Sequence, residues 1–487
     1  MAAASVKPAR LRVVVVVMAL LLAGAVADRA DRPGSRLSTD AAVRALMPTG
    51  GPAGAVSSTW YCAGGTANAG GPAAAAIVIA NPGDQEARAS VLTVAEKGEV
   101  PPPVPVTVGA RSVATVKLAP VATADHGAAV VEVDSGAVTV ELVVGGGART
   151  GGEHAASPCA SSASSRWYFP GGSTAKDAIL HLSLLNPFPE DAIADLSFAT
   201  DAGRAVPADF QGIVVPARGL AVVDVGSHVR RREAVSTTVA VRSGRLVAAQ
   251  TMSRTLPGRA GLSMGLGAPS PGGQWYFPDG VAGPGLAERY AIANPGKREA
   301  TVLIEIALAE GTAEPLERTI PPEGRLDVVM GPEVGVPPGV AHAVAVRSLN
   351  GVPVVASREL EAAPPAPRLG RADTLGARRL ARTWVFAAGG VTEALDEWVV
   401  VHNPGPRPAR VSITGLAGGQ SLALEGLQDL TIGPGRRQAF RLSDHVKRAP
   451  LPLVVSSSVP IVAERDLYQV GGPGLSATIG IPAGEDS

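Results

Sequence analysis

Aromatic residues make up only 3% of this 487-residue chain, and Lys supplies just six of its 43 basic side chains. A fold with so few rings needs each of them for packing. Charged residues are 18% and the formal net charge is zero, so no electrostatic footprint for a nucleic-acid partner is present. The seven histidines (His126, His154, His181, His228, His342, His402, His445) are scattered, and none shows H-E-x-x-H or another tight metal-ligand spacing. After residue 27 no run reaches 18 uncharged apolar residues, and no stretch carries a sustained helical period. What the chain does have is Gly (58), Pro (42) and a 46% apolar content. That composition excludes a disordered chain and indicates many turns between short strands. The length exceeds what one hydrophobic core serves, so several domains are expected.

Lys7, Arg10 and Arg12 precede an apolar run from Val13 to Ala27, which closes on Ala25-Val26-Ala27 before Asp28. A basic start, an apolar stretch and a small-residue ending form a secretory signal. The run is short for a span, but Leu11 extends it, so residues 1–27 read either as a cleaved signal peptide or as an N-terminal membrane anchor. Both place the remainder outside the cytoplasm, secreted or anchored. Residues 28–57 read as a linker rich in Gly, Pro, Ala and Arg. In such a compartment the two cysteines, Cys62 and Cys159, are expected to form a disulfide. Closing so long a loop contributes about 4–5 kcal/mol in the chain-entropy model.

The rest of the chain repeats itself. Trp60-Tyr61-Cys62, Trp167-Tyr168-Phe169, Trp275-Tyr276-Phe277 and Trp384-Val385-Phe386 recur at intervals of 107, 108 and 109 residues. Asn81-Pro82, Asn186-Pro187, Asn294-Pro295 and Asn403-Pro404 recur at 105, 108 and 109. Two independent markers with nearly one period define a repeat. Within it, segments such as His181 to Leu185, Ile193 to Phe198, Val235 to Val241 and Leu246 to Met252 are short, rich in β-branched or apolar residues, and bounded by turn formers. Seven or eight such strands in about 108 residues predict an all-β fold of four tandem immunoglobulin- or fibronectin-like β-sandwich repeats. The copies are assigned to residues 58–165, 166–272, 273–382 and 383–487, with joints expected at Pro269–Gly273 and Ala363–Pro367. A single four-bladed propeller-like closure is the alternative, although seven strands are too many for one blade.

The Trp-containing triplets read as core plugs rather than a binding platform, and Asn-Pro reads as turn chemistry in which Pro presets a turn position. Gly261-Leu262-Ser263-Met264-Gly265 matches the G-x-S-x-G of a hydrolase elbow, but that motif needs a strand–turn–helix context. Here it falls on the last strand of a β repeat, so Ser263 is not assigned as a nucleophile. The strand Val459-Pro460-Ile461-Val462-Ala463-Glu464-Arg465-Asp466 aligns with Val352 to Glu359 and with Leu246 to Thr251, and copy one keeps Glu141 at the Glu464 position. Its charges vary among copies, which favours structural pairing over a shared site. No catalytic, cofactor-binding or metal-ligating residue is assigned.

The W-Y-F-x-G-G opening, the Asn-Pro strand end, the Pro216-Ala217-Arg218-Gly219 turn and the V-P-I-V-A-E-R strand together resemble a family of actinobacterial exported proteins catalogued as a domain of unknown function. Copy four lacks the Tyr at Val385, and copy three has Glu323-Gly324-Arg325 in place of Ala-Arg-Gly. The resemblance implies an extracytoplasmic, cell-envelope setting and brings no catalytic residues. The expected function is a non-catalytic structural or binding role toward envelope glycan, peptidoglycan or an envelope protein, with membrane contact only through the N-terminal segment. An enzyme, or its accessory subunit, acting on envelope polysaccharide is the alternative. Glycoside hydrolysis would need two carboxylates facing one cleft.

Overall fold

The computed structural model describes residues 47–483 apart from 52–56, 69–70, 72, 98–99, 120, 146–153, 256–259 and 312. The signal or anchor at 1–27 and linker residues 28–46 and 52–56 lie outside the described residues. Among the described residues no helix is long and apolar enough to cross a membrane. The structure is all-β, with four three-residue 3-10 turns as its helical elements among those residues.

Each copy builds two four-stranded antiparallel sheets. In copy one the outer sheet runs Ser58–Ala63, Gly127–Ser135, Ala87–Ala95, Val104–Val108. The inner sheet runs Ser112–Lys117, Ala74–Asn81, Thr139–Gly145, His154–Pro158. Copies two and three keep this order, with the fourth strand of copy two split into Gly203–Ala205 and Ile213–Val215. In copies one to three a glycine at positive φ (Gly136, Gly244 or Gly351) turns the chain between the sheets. Copy four has no glycine from Leu453 to Gln469, and those residues form one 17-residue strand that serves both sheets.

Burial explains why the two sheets differ in sequence pattern. The outer-sheet strand Ala192–Thr200 alternates buried and half-buried residues, as one covered face requires. The inner-sheet strand Ala178–Asn186 is buried continuously from Leu182 onward, because that sheet is covered on both faces. On its far side lie the other copies. The last strands, His154–Pro158, Gly261–Leu266, Gly370–Leu375 and Leu475–Ile479, pack side by side in a closed cycle, copy one to two to three to four and back to one. Segments near both limits of the described residues complete this closure. Ile481 packs in the core of copy one, and the Gly50 amide donates to the Pro482 carbonyl at 2.9 Å. The fold thus combines the two-sheet unit with the ring closure of the propeller alternative.

The four repeat-marking tryptophans, Trp60, Trp167, Trp275 and Trp384, are core residues, each no more than 1% exposed. The indoles of Trp167, Trp275 and Trp384 donate to the carbonyls of Leu246, Val354 and Ile461 at 2.8, 2.8 and 3.1 Å. Two expectations need correction. Ala363–Pro367 is not a joint but the turn between the paired strands Val355–Ala362 and Gly370–Leu375. Pro269–Gly273 does connect copies two and three, yet it is pinned by paired bonds between Gly272 and Val354 and by Arg378 on the Ser270 hydroxyl. Arg218 and Glu323 share one turn position, both left-handed with φ near 50°, so copy three aligns one residue away from the sequence-based match.

Asn-Pro has a different cause from the one expected. Each Asn is buried, and in every copy its amide donates to the same three carbonyls. For Asn294 these are Arg298, Ile320 and Pro321 at 2.7, 3.1 and 3.1 Å, while its Oδ1 accepts from the Gly296 amide at 3.0 Å. Asn81, Asn186 and Asn403 repeat the pattern. The side chain staples a strand end to the next hairpin, and Pro only follows it. Asn294→Ala is expected to cost roughly 2 kcal/mol, because several buried carbonyls lose their donor at once. Chemical denaturation of the four-copy region measures this, and a loss within experimental error would refute the staple.

Candidate functional site

Ser263 lies on an uninterrupted antiparallel strand, 4% exposed, with its hydroxyl 3.4 Å from Arg371 Nε. No elbow is formed. His228 and His445 sit after equivalent 3-10 turns, on Asp209 (3.1 Å) and on the Glu425 carbonyl (2.7 Å). Cys62 and Cys159 form the expected disulfide, with Cα atoms 4.6 Å apart.

The polar residues that converge do so where one copy meets the next. Arg358 of copy three reaches Glu464 of copy four at 2.6 Å, and Arg465 of copy four reaches Glu141 of copy one at 2.9 Å. All four side chains are at most 1% exposed. Each guanidinium also donates to a carbonyl of its own copy, Asp279 or Ala388. The pairing expected from the sequence is present, but it runs between copies rather than between neighbouring strands of one sheet. This explains why the charges vary: each junction has its own complement. Between copies one and two the corresponding residues are Leu142 and Ala249, and the junction is apolar, with Leu262 and Met264 in the core of copy one. Between copies two and three an ion chain links Asp177, Arg254, Glu361, Arg371, Glu359 and Arg289.

Sequence reasoning missed several members of these junctions. Glu288 and His342 pair at 3.0 Å, both fully buried. Burial works to lower the His342 pKa, but the Glu288 carboxylate outweighs it and raises it. Against the cost of burial, Arg289 and Arg371 hold the Glu359 carboxyl low, whereas loss of water and the adjacent Glu359 push Asp373 up. The signal was available: Glu288, Asp373 and Glu397 each share a strand with a second charge, Arg289, Arg371 and Asp396. The glycines of the opening motif also belong here. A Cβ on Gly171 would lie 2.4 Å from Glu359 Oε1, and one on Gly389 would lie 2.5 Å from Glu397 Oε1.

Glu397 is buried, and desolvation pushes its carboxyl up to about 8 despite Arg465 nearby. A carboxyl raised in the folded state imposes no penalty below its unfolded pKa of 4.5 and a growing one as pH climbs to about 8. Glu397→Gln removes that penalty but buries an amide short of acceptors. The variant is expected to be more stable than the parent by roughly 2–3 kcal/mol above pH 8, with the advantage gone near pH 4.5. Urea titrations at the two pH values decide; an advantage that ignores pH would refute the assignment.

The junction between copies two and three leaves little space for a reactant. The cavity between copies two and three has about 20 Å3, room for one water-sized occupant. A larger groove of about 380 Å3 lies on the surface of copy two, at its Asn-Pro turn. Phe188, Pro189, Glu190, Gly244 and Arg245 line it. Phe188 is 37% exposed and stands where the other copies have Gly83, Gly296 and Gly405.

Residues 137–362 match the model of a family of unknown function, DUF5719, which agrees with the resemblance read from the sequence over that region. No curated protein matches the chain. Among solved structures, a Thermotoga maritima protein designated 1070 is 22% identical over 22% of this chain and 95% of its own, with a TM-score of 0.20. An Anabaena sensory rhodopsin transducer is 22% identical over 18% of this chain and 83% of its own, with a TM-score of 0.16. A tetra-tandem repeat from the extending region of a large adhesion protein is 11% identical over 85% and 96%, with a TM-score of 0.11.

Proposed function

We propose that the chain is an extracytoplasmic, non-catalytic cell-envelope protein whose four-copy ring binds an envelope glycan. The observation that carries this reading is how the polar residues are used. Those patterned along the repeat are consumed in buried pairs between copies, out of reach of a substrate. The surface groove of copy two has the opposite character: an exposed ring beside Pro189, with Glu190 and Arg245 at its edge. Such a ring suits the apolar face of a sugar, and the charged neighbours suit its hydroxyls. The disulfide fits an oxidising compartment, and the basic and apolar start of the sequence fits export or anchoring.

The test uses the four-copy region on isolated envelope material, with Phe188→Gly as the comparison because glycine is the residue of the other copies. Retention of the parent, a loss of at least tenfold in the variant and no released sugar support a glycan binder. Turnover abolished by replacing a single carboxylate or Ser263 would overturn it in favour of an enzyme. Equal retention of both proteins would move the binding surface elsewhere.

A further inference from the structure

The junction between copies two and three lacks a group that the next two junctions possess. Arg358 and Arg465 each bridge a carbonyl of their own copy and a carboxylate of the following one. Gln250 holds that position in copy two, and its Nε2 makes the first of those contacts, to the Gly171 carbonyl at 3.0 Å. The position opposite, Glu464 or Glu141 at the other junctions, is Ser357 here. Both residues are shorter than the pair they replace, and the space left is the 20 Å3 cavity, which Gln250, Ser263, Ser357 and Asp373 line.

Its polar lining is dominated by oxygen. Gln250 and Ser357 are 5% and 2% exposed; the Gln250 Oε1 atom has no hydrogen-bond partner, and the Ser357 hydroxyl bonds to the Asp373 carboxyl. Asp373 Oδ2 and Ser357 Oγ both lie 2.9 Å from the point a Cβ on Gly171 would occupy, so they converge. Glu359 is already neutralised by Arg289 and Arg371, whereas Asp373 has no ion-pair partner among the described residues. One carboxyl without a direct ion-pair partner, an amide oxygen and a hydroxyl around a water-sized space form a site for a hard cation once that carboxyl is ionised. We propose that this cavity takes up one small monovalent cation of the Na+ type, which replaces, charge for charge, the guanidinium found at the two following junctions. The ion would join copies two and three through Gln250 on one side and Ser357 and Asp373 on the other.

The experiment compares thermal unfolding of the four-copy region in NaCl and in choline chloride at equal ionic strength and mildly alkaline pH. Equal ionic strength removes screening from the comparison. The expected result is a rise of about 2–4 °C in NaCl that saturates with concentration. Asp373→Asn should abolish it. The double variant Q250R/S357E rebuilds the pair of the next junction; it should fold and no longer distinguish the two salts. Identical transitions of the parent in both salts would overturn the proposal. So would a sodium effect that survives in Q250R/S357E, or stabilisation by CaCl2 alone.

Discussion

Glu141→Ala should lower the stability of the four-copy region by about 3–5 kcal/mol, far more than removal of an exposed carboxylate. Glu141 sits on copy one, accepts from Arg465 of copy four at 2.9 Å and from the Ala388 amide at 3.0 Å, and is fully buried. Without it the Arg465 guanidinium stays enclosed beside the Phe386 ring with only the Ala388 carbonyl as acceptor. Most of the cost is that stranded charge rather than the lost bond. The double variant Glu141→Ala with Arg465→Met should therefore recover most of the stability, since an apolar pair already serves between copies one and two. Denaturant titration of the parent, Glu141→Ala, Arg465→Met and the double variant gives the coupling. A loss below about 1 kcal/mol for Glu141→Ala would mean that this pair does not hold the ring closed.

The second large effect concerns the disulfide. Cys62 occupies the place of Phe169, Phe277 and Phe386, and Cys159 occupies the place of Gly267, Gly376 and Gly480. In those three copies the ring lies directly over the glycine. A Cβ would come within 2.7, 2.7 and 2.8 Å of Cζ. The chain thus closes the same gap in two ways, with a ring on a glycine or with a cross-link. Cys62→Phe alone should prevent folding, because the ring meets the Cys159 Cβ and the bond is lost. Cys62→Phe with Cys159→Gly should fold with copy one built like the others. It would lack only the cross-link, which spans 97 residues and contributes about 4–5 kcal/mol in the chain-entropy model. Circular dichroism melting of both variants tests this, and a double variant as unfolded as the single would refute the equivalence.

The legible part of this fold was whatever repeats within one copy. The Trp triplets, the Asn-Pro pairs and the alternation in strands such as Ala192–Thr200 report local chemistry, and local chemistry leaves a period. The Asn staple itself stayed hidden, since its acceptors at Ile320 and Pro321 lie 26 and 27 residues from Asn294. The charges of the penultimate strand were visible but unexplained. Arg465 finds Glu141 across 324 residues, and no spacing rule reaches that far. The copy-to-copy exchange of Phe and Gly for Cys and Cys was also written in the sequence. Only the observation that the ring lies on the glycine gives it meaning.

Sequence alone determined the all-β class, the repeat and the identity of the core aromatics, because backbone propensity and side-chain burial act within each unit of about 108 residues. The tertiary structure decided the strand order of the sheets, the closed cycle of last strands and the partner of every buried charge. The physical reason is one of range. Alternation and turn chemistry are satisfied by neighbours in the chain, whereas a buried guanidinium must be satisfied by whatever the closed ring brings opposite it. At two junctions that partner is a carboxylate, at another the arginine is itself replaced by an apolar side chain, and between copies two and three by Gln250 beside a small cavity.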